Sequence, residues 1–185
     1  MLNKTMELLD KKGLTEQEFL EAYSKKNYPR PFLTADIVVL SENLDAVLLV
    51  KRSGHPYLGR WALPGGFAEA KESVEETALR ELKEETGIRE LTYDDMIEIG
   101  LFSTPGRDPR GWVVSNVYAA KIDPKNVSIK AGDDAAQAKW FGIKWETDGF
   151  ILTNGTIHLN GNRNQSDLAF DHGLMLLKTK EKLSK

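Results

Sequence analysis

The chain has 185 residues, 41% of them hydrophobic and 29% charged, with a formal net charge of −3 and no cysteine. That length favours one domain, with a core large enough to fold unaided. The slight acidity gives no reason to expect a nucleic-acid backbone or an anionic membrane as partner, since both reward a basic surface, and the missing cysteine excludes disulfides and thiolate metal sites.

The opening MLNKTMELLDKKG holds no apolar run long enough for a signal peptide or a membrane span, so a soluble, cytoplasmic protein is expected. Residues 1–31 read as a helical lead-in. Thr15, with Glu18 three residues on, makes a capping box for LTEQEFLEAY, and Pro29 and Pro31 stop the helix. FLTADIVVL and AVLLVKR are apolar and β-branched runs joined by the polar SENLD, hence two strands and a connection. SGHPYLGR is a loop by its glycine and proline content. MIEIGLFST and GWVVSNVYAAKI are further strands separated by PGRDPRG, and QAKWFGI is another. Residues 146–185 read as a hairpin and a helix. In ILTNGTIHL the pair Asn154-Gly155 suits a two-residue type I′ turn, and LAFDHGLMLLKTKEKL is amphipathic. No repeat, low-complexity tract or linker divides the chain, so a single domain over 1–185 is expected, of the α+β class with layered helices and sheet.

The segment from Gly65 to Ile88, GGFAEAKESVEETALRELKEETGI, carries seven glutamates and one arginine. Ser73 and Glu76 form a capping box that starts a helix at about Val74, and Gly87 can end it in a left-handed conformation. At about 100° per residue, Val74, Ala78, Leu82 and Leu79 define the buried arc. Glu76 and Lys83 lie roughly opposite, where solvated residues belong. Glu85 falls at about 20°, between Val74 and Ala78, and Glu81 and Glu84 continue the same stripe. A carboxylate half inside an apolar face is costly unless paired or ligated, and like charges on neighbouring turns repel. A divalent cation relieves both problems, hard cations such as Mg²⁺ preferring carboxylate oxygen; lysine or arginine from elsewhere in the fold would also serve. Gly65 and Gly66 let backbone approach a ligand closely. Glu72 and Arg80 are available to pair across the loop and helix, bracing the first acid of the stripe.

Gly66, Glu72, Arg80, Glu81, Leu82, Glu84, Glu85, Gly87 and Ile88 stand at the spacing of the Nudix hydrolase signature, with no departure. The segment therefore resembles that family, and the order of strands around it is similar to the family's α/β/α sandwich with a mixed sheet. The resemblance implies hydrolysis of a nucleoside diphosphate linked to another group. It implies Mg²⁺ or Mn²⁺ held by Glu81, Glu84 and Glu85, with the Gly65 carbonyl, and Glu72 and Arg80 in support. RWALPGGF, Pro105 after the signature, PGRDPRG before a strand, and AGDDAAQAKWF resemble the ADP-ribose pyrophosphatase branch. That narrower resemblance implies ADP-ribose as substrate, AMP and ribose 5-phosphate as products, and a homodimer.

Residues outside the signature set the substrate. Arg107 and Arg110, on a Gly/Pro loop, offer planar donors for phosphate or for the terminal ribose, or else pair with Asp108. An adenine needs an aromatic or apolar platform, for which Tyr57, Trp61, Trp112 and Tyr118 are candidates; Trp61 and Tyr118 are carried as substrate-binding, with core packing the alternative. Asp133 and Asp134 are candidates for the general base, a plain Gly-Asp-Asp turn or a stripe glutamate being the alternatives. His55, His158 and His172 show no metal-site spacing and read as structural. Two rival functions remain: hydrolysis of another nucleotide (an oxidised nucleoside triphosphate, a dinucleoside polyphosphate or a sugar nucleotide), and an ADP-ribose sensor that regulates transcription. An EF-hand is excluded, since its alternating Asp/Asn loop is absent.

Overall fold

The computed structural model describes residues 8–130 and 135–184, in two compact units divided after Arg30. In the first unit, α1 (Glu16–Ser24) begins at the expected capping box, with the Thr15 hydroxyl accepting from Glu18 N–H and the Glu18 carboxylate accepting from Thr15 N–H. None of its residues is buried.

The described residues of the second unit form a nine-stranded mixed sheet with a helix on each face. Its strands are β1 (Phe32–Leu40), β2 (Ala46–Arg52), β3 (Trp61–Ala62), β4 (Gly65–Phe67), β5 (Ile97–Phe102), β6 (Val113–Lys121), β7 (Ala135–Trp145), β8 (Gly149–Asn154) and β9 (Ile157–Asn162). They run in the order β5-β6-β1-β2-β7-β8-β9, with β3 on β2 and β4 on β1. The pair β1 and β6 is parallel; the other pairs are antiparallel. The central strand β1 is covered on both sides, which is why it reads as a continuous apolar run rather than an alternation. Ala35, Ile37 and Val39, with Tyr118 and Ala120 of β6, pack toward α2 (Val74–Thr86), where they meet Ala78 and Leu82. Val38 and Leu40, with Val117 and Ala119, pack toward α3 (His172–Leu183) and its Met175, Leu176 and Leu177. The architecture is the expected α/β/α sandwich with a mixed sheet.

Two local expectations shift. The β8–β9 turn is not the type I′ turn at Asn154-Gly155. Asn154 stays in the ladder opposite Ile157, its amide donating to the Trp140 carbonyl at 2.9 Å, and of the two turn residues Gly155 alone takes a positive φ, 56°. The closing helix starts at His172, four residues later than Leu168. The short strands β3 and β4 flank the Pro64 bend and hold it between β2 and β1. Among the described residues no helix is long and apolar enough to cross a membrane.

Candidate active site

Helix α2 and the loop before it are fastened by one side chain. Arg80 donates from Nε to Glu72 Oε1 at 2.8 Å, from Nη2 to Glu72 Oε2 at 3.1 Å and to the Phe67 carbonyl at 3.0 Å, and from Nη1 to Glu81 at 2.8 Å and Glu84 at 3.1 Å. Glu72 also accepts from Glu69 N–H and the Thr77 hydroxyl, and Arg80 holds its carboxyl at about 2, well below the usual range. The supporting pair foreseen from sequence is thus formed geometrically. The same arginine supplies the ion-pair alternative for Glu81 and Glu84.

Glu85 is not paired with Arg80. It is buried deeply enough that its pKa rises to about 8, and Gly65 N–H donates to its Oε2 at 3.0 Å. Burial also raises Glu81. The glycines matter here. A Cβ at Gly66 would lie 2.2 Å from Glu81 Oε1, and one at Gly65 would lie 2.5 Å from Asp36 Oδ1 and 2.4 Å from the Ala35 carbonyl. Backbone therefore lies directly against carboxylate oxygen, with no room for a side chain between. Among the described residues no three carboxylates or imidazoles converge as a ready ligand set, because Arg80 draws Glu81 and Glu84 and Gly65 draws Glu85. As chemistry the donor set still suits a hard cation: half-buried carboxylates in excess of their counter-charge, next to a strand of glycine backbone.

Glu81 and Glu85 line a cleft of about 470 Å³ together with the guanidinium groups of Arg52, Arg107 and Arg110. Arg107 is buried and bonds both oxygens of Asp171, Nε at 2.9 Å and Nη2 at 2.6 Å. Burial opposes its charge, but the Asp171 bonds outweigh this and raise its pKa. Arg110 grips Asp108 at 2.7 Å from Nη2 and 3.0 Å from Nε, and burial of Asp108 is likewise outweighed, so its pKa falls. The Arg110 guanidinium lies over Phe67 at 4.6 Å and Phe170 at 5.3 Å. Arg52, at the end of β2 where a register shift against β7 redirects the strand, donates from Nε to the Pro56 carbonyl at 2.7 Å and lies over Phe170 at 5.0 Å. Burial and the charge of Arg110 lower its pKa.

Several cleft residues carry no motif. Asp36 is a lone acid in the apolar strand FLTADIVVL, and that anomaly was the available signal. It accepts from the Ser115 hydroxyl and lies 3.6 Å from His172 Nε2. His172 accepts from Leu63 N–H at Nδ1, 2.8 Å away, which leaves its proton on Nε2, facing Asp36. It is a satisfied buried histidine, as expected, but it also lines the cleft, as does His55; His158 is exposed on β9. Phe170 takes φ 51°, unusual for a bulky residue, where the chain turns into α3.

Other expected residues fall elsewhere. Trp61 is buried in the core against Phe141, ring centroids 4.7 Å apart. Tyr118 is buried under α2, its hydroxyl donating to Glu75 at 2.9 Å and accepting from Asn116 at 2.7 Å. Neither lines the cleft. Tyr57 stands beside Phe170, centroids 4.8 Å apart, and Trp112 is exposed. Glu84 is largely exposed, turned to Arg80. Asp133 and Asp134 lie outside the described residues.

A mixed sheet lies between two helices, with a cleft lined by both carboxylates and guanidinium groups. Comparison with known proteins identifies the family. The NUDIX domain model matches residues 30–149, and the chain belongs to the Nudix family. It is 41% identical over 116 residues to an ADP-ribose pyrophosphatase of Methanocaldococcus jannaschii, covering 63% of this chain and 64% of that protein. It is 39% identical over 115 residues to the ADPR responsive transcriptional repressor NtrR of Acinetobacter baylyi, covering 60% of this chain and 45% of that protein. The chain thus spans under two thirds of the length of these relatives. A crystal structure of a MutT/nudix family protein from Enterococcus faecalis superposes with a TM-score of 0.81 at 36% identity, over 92% of this chain and 70% of that one.

Proposed function

We propose that the chain is a hydrolase that cleaves the pyrophosphate bond of ADP-ribose, giving AMP and ribose 5-phosphate, with Mg²⁺ or Mn²⁺ bound by Glu81, Glu84, Glu85 and the Gly65 carbonyl. The observation that carries the reading is a cleft lined together by the half-buried acids Glu81 and Glu85 and the guanidinium groups of Arg52, Arg107 and Arg110. The similarity to a named ADP-ribose pyrophosphatase supports the substrate. Bound there, the cations would neutralise the charge that gathers on a phosphoanhydride under attack and lower the pKa of the attacking water. The chain's own part is placement. Arg80 holds the acid-bearing helix against the loop, and Gly65 N–H fixes the Glu85 carboxylate. The arginines orient the diphosphate so that one P–O bond breaks as water adds to that phosphorus. The water's proton passes to a general base, for which Asp133, Asp134 or a stripe glutamate is the candidate.

Purified protein assayed with Mg²⁺ in ¹⁸O water against ADP-ribose, an oxidised nucleoside triphosphate, a dinucleoside polyphosphate and a sugar nucleotide tests this directly. Faster turnover of any rival than of ADP-ribose rejects the substrate, and no turnover of any rejects the hydrolase. A second reading, an ADP-ribose-responsive regulator, is favoured by the similarity to the Acinetobacter repressor. An electrophoretic shift of DNA that ADP-ribose reverses would support it.

A further inference from the structure

The chain changes partners at Leu63 and Pro64. Trp61 and Ala62 pair with β2, and Gly65–Phe67 pair with β1, so the two residues between them belong to neither ladder. Proline has no N–H, and the Pro64 carbonyl accepts from Ile37 N–H at 2.9 Å. That leaves the Leu63 N–H, on a residue only 1% exposed, where water cannot serve as acceptor. His172 takes it, with Nδ1 2.8 Å away. The ring is itself held in place. It stacks on Phe170 at 5.3 Å between centroids, its other nitrogen faces Asp36 at 3.6 Å, and Asp36 accepts from the Ser115 hydroxyl. The segment that leads into α3 is tied to the same bend, Ala169 N–H donating to the Trp61 carbonyl at 2.8 Å. Two residues beyond Leu63, Gly65 N–H donates to Glu85. A short run of backbone thus joins the imidazole to a half-buried acid of α2.

We infer that His172 is a positioning residue of the acidic site: by accepting from Leu63 N–H it fixes the Leu63–Gly65 bend, and through that bend the Gly65 backbone that meets Glu85. The inference rests on the hydrolase reading above, in which Glu85 and the Gly65 carbonyl hold the cation. It adds a residue of α3 to a site otherwise built from α2 and the loop before it. Two glycines follow Pro64, and their conformational freedom has to be removed by their surroundings. The proline ring fixes φ between Leu63 and Gly65, so the direction set at Leu63 N–H reaches Gly65 with little slack. Asp36 stands behind the ring and keeps its other nitrogen turned away from Leu63.

The test sets two polar replacements against each other in the full chain. Asparagine can put its amide oxygen where the ring holds Nδ1, whereas glutamine reaches the position of Nε2. His172→Asn therefore keeps an acceptor for Leu63 N–H, and His172→Gln loses it while keeping a polar group toward Asp36. Mn²⁺ affinity, followed by electron paramagnetic resonance without nucleotide, should fall about 10-fold or more in His172→Gln, the scale on which groups that orient metal ligands act, and less than about threefold in His172→Asn. With ADP-ribose and Mg²⁺, His172→Gln should lower kcat about 10-fold and leave KM within about twofold. In chelator, amide exchange by NMR should quicken at Leu63 and Gly65 in His172→Gln, while that of the buried Ala120 stays as it was. Equal Mn²⁺ affinities in the two variants, or losses in both that merely follow the melting temperature, would overturn the inference. Should neither variant fold, the unaltered chain decides: Mg²⁺ should slow exchange at Leu63 and Gly65 together, and slowing at Gly65 alone, or at neither, would overturn it. Failure of the hydrolase reading looks different. No turnover of ADP-ribose leaves the exchange and Mn²⁺ comparisons standing, and unchanged exchange at Leu63 and Gly65 in His172→Gln removes the positioning role even where ADP-ribose is hydrolysed.

Discussion

Replacing Glu72 with Gln removes one charge from the brace between the loop and α2 while keeping its shape. In the folded chain Arg80 holds this carboxyl at about 2, against an ordinary value of 4.5. That difference corresponds to roughly 3 kcal/mol of folding stability near neutral pH, at about 1.4 kcal/mol for each tenfold change in proton affinity. The side chains are 14% and 23% exposed, so solvent screening trims the figure only in part. Glutamine keeps an acceptor oxygen, so the expected loss is about 1–3 kcal/mol, or roughly 2–10 °C in Tm for a chain of this size. The sign follows from a depressed folded pKa. The stabilisation is present above about 4.5 and is lost as pH falls toward 2, with less than about half remaining at pH 3. Thermal melts by circular dichroism in chelator, at pH 7, 4.5 and 3, check this. The gap between the unaltered chain and the variant should be widest at pH 7 and should narrow by pH 3. An equal gap at all three values would refute the ion pair as its source. Arg80→Ala should also destabilise, and combined with Glu72→Gln it should lose less than the sum, since both remove one contact.

The remaining expectations concern the acidic residues and the core. Glu85→Gln should lower kcat by ~10²- to 10³-fold, the scale of removing one electrostatic stabiliser, with Tm unchanged or higher because a buried charge has gone; near-normal turnover at ordinary Mg²⁺ would reject Glu85 as a ligand. Gly65→Ala should destabilise by about 2 kcal/mol or more, since its Cβ meets the Ala35 carbonyl at 2.4 Å and backbone cannot swing away. In Gly66→Ala the nearest atoms to the new Cβ are the flexible carboxylate end of Glu81, so it should leave Tm nearly intact and weaken Mn²⁺ binding, followed by electron paramagnetic resonance. Trp61→Ala should cost about 3–5 kcal/mol by urea unfolding, as core packing requires; a stable variant defective only in substrate binding would restore Trp61 as a nucleotide platform.

What was legible from sequence follows the range of the interactions involved. Helix α2 could be located because its signals are local: Ser73 caps it through Glu76, and Gly87 ends it at φ 79°. Its phase was legible for the same reason. Ala78 and Leu82 are fully buried and Val74 and Leu79 partly so, with Thr77 and Thr86 buried as well; Glu81 and Glu85 lie beside them, while Glu84 turns outward. The acids therefore emerged with Arg80 and Glu72, all within one helix and its preceding loop. The arginine cluster is assembled over distance. Arg107 and Asp171 are separated by 64 positions and meet only because α3 packs across the sheet from α2 and begins beside the cleft. Asp108 was within reach of either arginine on sequence alone, and nothing local shows that Arg110 takes it and Arg107 does not. The parallel register of β1 with β6 is equally non-local, and it sets Ser115 close enough to donate to Asp36. Charge read along the chain offers Arg107 and Arg110 either as donors to a ligand or as partners of Asp108, and leaves the choice open. The fold makes the choice: Asp171 holds Arg107 and Asp108 holds Arg110, and a guanidinium so held attracts an anion less than a free one does.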